Sequence, residues 1–414
     1  MEKAILVTVD LKKEKGWSAE DRASELKELA RSSGASIEAE VVCSRERPTS
    51  DLFVGKGKFE EIALLSKKKS AKSVIFNNDL APTQLRNLEK GLDGVKVIDR
   101  TQLILDIFSQ HARSMEGKVQ VELAQLEYLL PRLTGKGIEL SRLGGGIGTR
   151  GPGEKILEYD RRRIGDRIAK LKKELKDLEK RRGALRKRRK DAMLATVSIV
   201  GYTNAGKTTL LNRLTNSRKL TADKLFSTLD PVARSYVLPN NLKILFSDTV
   251  GFLYKLPHHL IESFKATLEE VKEADLLIHV LDCSNPRAQE LDEAVYSVLK
   301  ELGAEGKTII NVLNKVDLVE NSHHLNRLKR KFNNAVAVSA LNGQDIDLLI
   351  DEISQLLSGL VTKIKIDIPN DRMDAVSLIY EHGKVHKRED RPASIYIEAA
   401  IPVRLSKTLE KLLD

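Results

Sequence analysis

A glycine-rich octapeptide, lying between an apolar run and a helical run, constrains the fold of this chain more than any other segment. Gly201-Tyr-Thr-Asn-Ala-Gly-Lys-Thr208 follows the strand-like Ala195–Val200 and opens the helix-like Lys207–Leu214. Glycines at the first and sixth positions let backbone N–H groups turn inward, and the start of a helix presents its positive end to an anion. The pattern is that of a P-loop. It therefore predicts a phosphate-binding site at the end of a strand in an α/β domain.

Three further short motifs follow in the order that a GTPase requires. Asp248-Thr-Val-Gly251, Asn314-Lys-Val-Asp317 and Ser339-Ala-Leu341 each come directly after a strand-like run. A fixed carboxylate at Asp317 accepts both N1–H and N2–H₂ of guanine, and adenine lacks that donor pair. A backbone N–H of the third motif can meet the guanine O6. Because the carboxyl ends of parallel strands share one edge of a sheet, the motifs predict one guanine-nucleotide site.

The threonine that closes over the nucleotide is predicted just before the second strand of this domain. Thr228 precedes the strand-like Val232–Leu238, whereas Thr221 and Thr215 lie nearer the preceding helix. We therefore favour Thr228 and keep the other two as alternatives.

These motifs define the predicted nucleotide and metal sites. The metal is Mg²⁺, held by Thr208 and Thr228 and, through water, by Asp248, because hydroxyl and carboxylate oxygens suit this ion. The catalytic residues are Lys207, which reaches the β- and γ-phosphates, Thr228 and Gly251, whose N–H can meet the γ-phosphate. GTP and GDP are substrate and product, and their predicted contacts are Gly201, Tyr202, Thr203, Asn204, Ala205, Gly206, Lys207, Thr208, Thr209, Phe226, Ser227, Thr228, Leu229, Asp230, Asp248, Thr249, Val250, Gly251, Asn314, Lys315, Asp317, Ser339, Ala340 and Leu341.

The residue after Gly251 departs from the usual catalytic pattern. Ras-like proteins place a glutamine there to orient the attacking water, and this chain has Phe252. An apolar ring cannot orient water. His258 and His259 are weaker alternatives, because single histidines are more often structural. Intrinsic hydrolysis is therefore expected to be slow and to depend on a partner.

Strands alternating with helices predict an α/β fold class, with four parts along the chain. Residues 1–118 are predicted to form an α/β lobe, and residues 193–360 a Ras-like G domain with a parallel sheet. Residues 361–414 are expected to form a small α+β module in the order βαββα. In the first lobe, Val54-Gly-Lys-Gly-Lys58 has glycines and lysines that suit a phosphate, but it lacks a full dinucleotide fingerprint and we favour a plain turn.

Residues 119–192 are predicted to form a long helical hairpin. Val119, Leu123, Leu126, Leu130 and Leu133 are spaced 4, 3, 4, 3, and the same spacing recurs from Ile164 to Leu178. Both runs are seams of period 3.5, so the two helices can pack side by side. The connection from Leu133 to Gly153 holds eight glycines and predicts a loop rather than a helix.

The chain carries a formal charge of +11, and residues 160–190 hold sixteen Lys/Arg against five Asp/Glu. The remainder is therefore neutral in sum. A concentrated basic segment favours a polyanion partner, above all nucleic acid, although a solvated helix face is the plain alternative. The predicted RNA contacts are Arg142, Arg150, Arg181, Arg182, Arg186, Lys187, Arg188, Arg189 and Lys190.

Other classes of protein fit the sequence poorly. The longest apolar runs are too short to span a bilayer, and the N-terminus lacks the pattern of a signal peptide. The two cysteines, Cys43 and Cys283, form neither a disulfide framework nor a metal knuckle. We expect a cytoplasmic protein without a membrane span, monomeric away from its partner.

The motifs together resemble the HflX family of ribosome-associated GTPases. The resemblance rests on Leu225-Phe-Ser-Thr-Leu-Asp-Pro231, Asp248-Thr-Val-Gly-Phe252, Asp51-Leu-Phe-Val-Gly-Lys-Gly57, Asn77-Asn-Asp79 and Gly144-Gly-Gly-Ile-Gly-Thr-Arg-Gly-Pro-Gly-Glu154. It covers about residues 1–360. It implies a two-lobed N-terminal domain, a Ras-like G domain, binding to the large ribosomal subunit and its RNA and, for some members, separation of ribosomal subunits after stress.

Three hypotheses of function remain open at this level. The leading one is a Mg²⁺-dependent GTPase switch that docks its hairpin on the large subunit and whose hydrolysis that subunit stimulates. A second is a GTPase that assists ribosome assembly on precursor RNA. A third, motivated by Phe252, is a GTP-sensing binding module with negligible turnover.

Overall fold

The computed structural model describes most of the chain. The described residues are 2–12, 16–133, 152–191, 194–216, 226, 232–254, 268–319, 322–332 and 334–413, with the backbone alone at 152–157, 185–191, 322, 404, 407 and 411. The predicted glycine loop, the segment Ser227–Asp230, Thr221, His258 and His259 lie outside these residues. Within the described ranges, no helix combines the length and hydropathy needed to cross a membrane.

The chain divides into two compact units. The first comprises Met1–Leu178 with Asp223–Leu229 and Pro257–Phe264, and the second comprises Glu179–Ala222, Asp230–Leu256 and Lys265–Asp414.

The first unit opens with the predicted α/β lobe. Its elements are β1 (Glu2–Leu11), α1 (Ala19–Ser32), β2 (Ala35–Arg45), α2 (Lys56–Lys69), β3 (Ser73–Phe76), α3 (Pro82–Gly91), β4 (Lys96–Ile98) and α4 (Arg100–His111). The strands form a parallel sheet in the order β2-β1-β3-β4. The predicted turn at Val54–Lys58 is instead the start of α2, with Gly55 at the N-cap in the left-handed region (φ +79). Glycine is favoured there by this backbone conformation, which residues with a Cβ rarely adopt.

The helical hairpin is present, with its two helices joined along the predicted seam. Helix α5 (Met115–Leu129) ends in a 3₁₀ turn, Leu130–Leu133, and α6 runs over Pro152–Asp191. Val119, Leu123, Ile168 and Leu171 form its buried core. Outside that core, Arg167 donates two hydrogen bonds to Glu122, of 2.6 and 2.7 Å. The heptad pattern thus predicted both the helices and their contact.

The second unit carries a six-stranded sheet in the order β10-β9-β8-β5-β7-β6. Its elements are β5 (Ala195–Gly201), α7 (Lys207–Leu214), β6 (Val232–Val237), β7 (Lys243–Asp248), β8 (Leu276–Asp282), α8 (Ala288–Glu301), β9 (Ile309–Asn314), α9 (Ser322–Lys331), β10 (Ala335–Ala337) and α10 (Ile346–Leu356). The expected parallel sheet is modified at one edge, where β6 pairs antiparallel with β7. The connection between these two strands is too short for a crossover helix, so only a hairpin fits.

The last part of the second unit has the predicted βαββα order. It consists of a short 3₁₀ turn (Leu357–Leu360), β11 (Val361–Pro369), α11 (Met373–His382), β12 (Lys384–Asp390), β13 (Ser394–Pro402) and α12 (Val403–Leu413). The strands form an antiparallel sheet in the order β11-β13-β12 with a core of its own. Asn241, in the β6–β7 turn, donates to the Gly383 carbonyl at 2.6 Å, which connects this sheet to the larger one.

Candidate nucleotide site

The P-loop has the predicted strand–loop–helix geometry. Strand β5 ends at Gly201, and α7 begins at Lys207 with Gly206 at its N-cap. Gly206 has φ +94, and a Cβ there would lie 2.2 Å from Nδ2 of Asn314. A side chain is therefore excluded both by the backbone conformation and by the asparagine of a distant motif.

Lys207 lies inside this loop. Its side chain is buried, and its Nζ donates to the carbonyls of Tyr202 (2.7 Å) and Gly201 (3.2 Å). Burial lowers the pKa of Lys207 to about 8, and the nearby Asp248 carboxylate offsets part of that shift. A buried ammonium at the N-terminus of a helix is suited to bind phosphate oxygens, which would replace the two carbonyls as its hydrogen-bond partners.

Nucleotide affinity is expected to fall as the pH rises through about 8. Bound phosphates favour the charged ammonium, so the Lys207 pKa is higher in the complex and binding above pH 8 requires proton uptake. Titrating GDP at a series of pH values on both sides of about 8 measures the effect.

The matched control for this prediction is Lys207→Arg. A guanidinium does not titrate in this range, so the variant should bind more weakly but with little pH dependence. A variant with the same pH profile as the parent would contradict the prediction.

A hydroxyl and a carboxylate meet beside the P-loop. Thr208 Oγ1 donates to Asp248 Oδ2 at 2.8 Å, and Asp248 is fully buried. Oxygen ligands of this kind are what Mg²⁺ prefers. The residues present therefore fit the predicted ion, which Thr208 would bind directly and Asp248 through water.

Gly251 packs directly against the P-loop. A Cβ at this position would lie 2.7 Å from Thr203 Cγ2 and 3.0 Å from Lys207 Nζ. Glycine is required here because a Cβ would also lie 2.9 Å from the Thr203 Cα, and a backbone atom cannot move aside as the end of a side chain can. The Gly251 N–H is thus near the place where Lys207 would hold a phosphate.

Phe252 is a buried anchor of this segment. Its side chain is 1% exposed, its N–H donates to the Gly201 carbonyl (3.1 Å) and its carbonyl accepts from Thr203 N–H (2.9 Å). The backbone after Asp248 is therefore joined to the P-loop on both sides of Phe252. A residue held in this way packs into the core and orients no water.

The predicted base-recognition motif is attached to the P-loop through Asn314. This side chain is 2% exposed, donates to the Ala205 carbonyl (2.8 Å) and accepts from Ala340 N–H (3.0 Å). Lys315, in the left-handed region, forms an ion pair with Asp282 at 2.6 Å. Asp317 lies exposed on the 3₁₀ turn Val316–Leu318. One asparagine thus connects three of the four motifs.

Arg213 is a residue of this region that the sequence motifs did not include. It lies in the last turn of α7, its Nε donates to the Ala340 carbonyl at 3.2 Å, and it also donates to the Leu341 carbonyl. The guanidinium also lies 3.4 Å from the place of a Gly343 Cβ. Arg213 therefore joins the P-loop helix to the loop predicted to meet guanine O6. No sequence signal marks it, because the partners are two backbone carbonyls far along the chain.

Replacing Arg213 with alanine is expected to weaken GDP binding about tenfold and to reduce the preference for guanine over adenine nucleotides. Hydrogen bonds from a charged group are worth about 1.5–3 kcal/mol. The loss of affinity is expected at the lower end of this range, because the loop can relax and the freed carbonyls can then bind water. Competition titrations of GDP against ADP measure both effects.

Arg213→Lys is the control, because it keeps the charge and one donor and should retain most of the affinity. If the alanine variant binds GDP as the parent does, Arg213 has no part in holding the loop.

Three further sets of predicted residues lie on other elements or outside the described residues. Phe226 is 2% exposed, and its ring lies edge-on to Phe108 of the same unit, with centroids 4.5 Å apart. Arg181 is exposed on α6 and Arg182 is half-buried, whereas Arg186–Lys190 continue this helix with their backbone alone described. Arg142, Arg150, Thr228 and its neighbours Ser227, Leu229 and Asp230 lie outside the described residues, so their roles stay predictions.

Models of four protein families match consecutive parts of the chain. They are described as the GTP-binding GTPase N-terminal region (residues 20–109), the GTP-binding GTPase middle region (111–189), the 50S ribosome-binding GTPase (196–315) and the HflX C-terminal domain (325–414).

The chain is also similar over its length to curated proteins. "GTPase HflX" of Caldanaerobacter subterraneus subsp. tengcongensis is 44% identical over 412 residues, which is 100% of this chain and 94% of the relative. "GTPase HflX" of Escherichia coli is 41% identical, with 100% and 97% covered. A solved structure, a GTP-binding protein from Sulfolobus solfataricus in complex with GDP, is 27% identical, with 87% of this chain and 100% of that chain covered at a TM-score of 0.46.

Proposed function

Because the chain belongs to the HflX family of GTPases, we propose that it is a Mg²⁺-dependent switch that binds the large ribosomal subunit and hydrolyses GTP quickly only when bound there. GTP binding and GTP hydrolysis follow from the family itself. The match to the 50S ribosome-binding GTPase model supports the ribosome as partner. That fast hydrolysis depends on the ribosome is inferred from residues of this chain, as follows from Phe252.

The observation that carries the proposal is the burial of Phe252. The position that orients water in Ras-like proteins is occupied by a ring with 1% exposure, held between backbone bonds to Gly201 and Thr203. The chain thus supplies phosphate and base contacts without this water-orienting group. Intrinsic turnover is expected far below the roughly 1–100 s⁻¹ of kinases, and the ribosome supplies or positions the missing group.

Each part of the site has a role in this proposal. Lys207 neutralises charge on the β- and γ-phosphates, Gly251 N–H meets the γ-phosphate and Asp317 selects guanine. When bound, Mg²⁺ would supply electrostatic stabilisation of the charge that develops on the phosphate oxygens. Thr208 and Thr228 would hold the ion directly, and Asp248 would hold it through water.

The hairpin is the proposed ribosome-binding arm. Its seam holds α5 against α6 and so gives the predicted glycine loop a rigid base. The basic end of α6, residues 181–190, binds ribosomal RNA phosphates, and the loop enters a cavity of the large subunit. The resemblance to the HflX family implies that this cavity lies near the peptidyl transferase centre. We place the boundaries of the four parts at 118/119, 192/193 and 360/361, and the protein in the cytoplasm.

Turnover with and without ribosomes is the decisive experiment. GTP hydrolysis by the full chain is measured alone, with small subunits and with large subunits, and co-sedimentation is measured with a GTP analogue, with GDP and without nucleotide. Stimulation by large subunits alone, with binding favoured by the analogue, is the expected result. Equal turnover in all mixtures would overturn the partner dependence, and association with precursor particles alone would favour a role in assembly.

Subunit separation is tested in the same preparation. Intact ribosomes incubated with the protein and the GTP analogue should dissociate into subunits on a sucrose gradient. Binding without dissociation would remove the splitting role and leave the binding proposal standing.

A further inference from the structure

Helix α9 carries a second basic surface, in addition to the basic segment at residues 160–190. Ser322–Lys331 contains four Lys/Arg and no Asp/Glu. Arg327, Lys329 and Arg330 are exposed, and Arg327 and Arg330 stand three residues apart on one side of the helix. The residues outside 160–190 have a net charge of zero, but positive charge is nevertheless concentrated on α9.

The orientation of α9 is fixed by its other face. Leu328 and Phe332 are buried in a small core with Leu281 and Leu313, the latter on β9 beside Asn314. At the start of the helix, the His324 ring nitrogen Nε2 lies 3.2 Å from the Cys283 carbonyl. Because the apolar face is held inward, the exposed cations form a surface with a defined position close to the predicted base-recognition motif.

These cations differ from those of the C-terminal sheet. There, Lys365, Lys387 and Arg388 each have a carboxylate partner, at 3.3 Å (Glu398), 2.5 Å (Glu389) and 2.7 Å (Asp390) respectively. Among the described residues, no carboxylate oxygen lies within 4 Å of the side-chain nitrogens of Arg327, Lys329 or Arg330. Adjacent like charges without partners collect counterions, and the release of those ions favours a polyanion.

We propose that the exposed face of α9 binds RNA phosphates, as a contact surface separate from the helical hairpin and next to the guanine end of the nucleotide site. The inference rests on the proposed function, which supplies ribosomal RNA as the polyanion. Two guanidinium groups and an ammonium suit phosphate oxygens, because arginine donates in a bidentate fork and lysine as a point charge. The proposal adds a partner contact that the motif pattern and the hairpin do not include.

The test uses the full chain with Arg327→Gln, Lys329→Gln and Arg330→Gln combined. Binding to a short labelled RNA duplex of mixed sequence and to large ribosomal subunits is measured over a series of salt concentrations. The variant should bind both more weakly, with a log–log salt slope shallower by about 2 to 3, because about 0.7–0.9 is lost per phosphate contact. Its GDP affinity and thermal midpoint should match the parent, since all three side chains are exposed.

The matched control removes the same charge from paired cations, by Lys365→Gln, Lys387→Gln and Arg388→Gln. An equal loss of RNA binding in this control would show that net charge alone matters, and would overturn the proposal. Parent-like binding of the α9 variant at every salt concentration would overturn it too. Loss of ribosome binding with unchanged duplex binding would assign α9 to an acidic protein partner instead.

Failure of the proposed function has a different outcome. In that case the parent itself does not sediment with ribosomes, whereas the duplex measurement still decides whether α9 binds RNA.

Discussion

Replacing Asn314 with alanine is expected to lower GDP affinity by at least about 30-fold. The substitution leaves the Ala205 carbonyl and the Ala340 N–H, both buried, without their 2.8 and 3.0 Å partners. Each orphaned group costs about 1–3 kcal/mol. The P-loop and the base loop then lose their common support, and about 1.4 kcal/mol corresponds to tenfold in affinity. Calorimetric titration of GDP measures the change.

Asn311→Ala is the matched control for this prediction. Asn311 is also a buried asparagine on β9, but its side chain meets His279 (3.2 Å) instead of the P-loop. The control should lose stability while it keeps GDP affinity within a few-fold. If both variants lose affinity equally, Asn314 acts only through the stability of β9.

The second large effect is expected for Phe252→Gln, which introduces the water-orienting residue of Ras-like proteins. The variant should be about 3–5 kcal/mol less stable, because a large ring is removed from a site that is 1% exposed and an amide is buried there. Its intrinsic turnover should not rise, because the side chain at this position packs inward. Chemical unfolding and single-turnover hydrolysis measure the two quantities.

Phe252→Leu is the corresponding control, and it should keep most of the stability and all of the turnover. A stable Phe252→Gln variant with faster intrinsic hydrolysis would show that residue 252 can reach the water. The explanation of partner dependence would then be wrong.

Much of the fold was predictable because its signals are local. The heptad spacing of Val119–Leu133 and Ile164–Leu178 predicted a packed hairpin, and the hairpin core contains the first four seam residues of each run. The P-loop glycines predicted a strand, a turn and a helix in that order, and β5 and α7 have them. The antiparallel pairing of β6 was missed because the alternation of strands and helices predicts parallel strands, whereas β6 and β7 are joined by a short turn without a helix.

The sequence by itself determined the chemical content of the nucleotide site: the P-loop, Asp248, the Asn314–Asp317 motif and their order along the chain. Tertiary structure decided how these parts support one another. Asn314 reaches Ala205 across 109 positions, and Arg213 reaches Ala340 across 127. Periodicity and residue spacing carry no information over such separations, because these contacts form only when the sheet brings strand ends together. The inward packing of Phe252 and the outward position of the α9 cations depend on the folded core for the same reason.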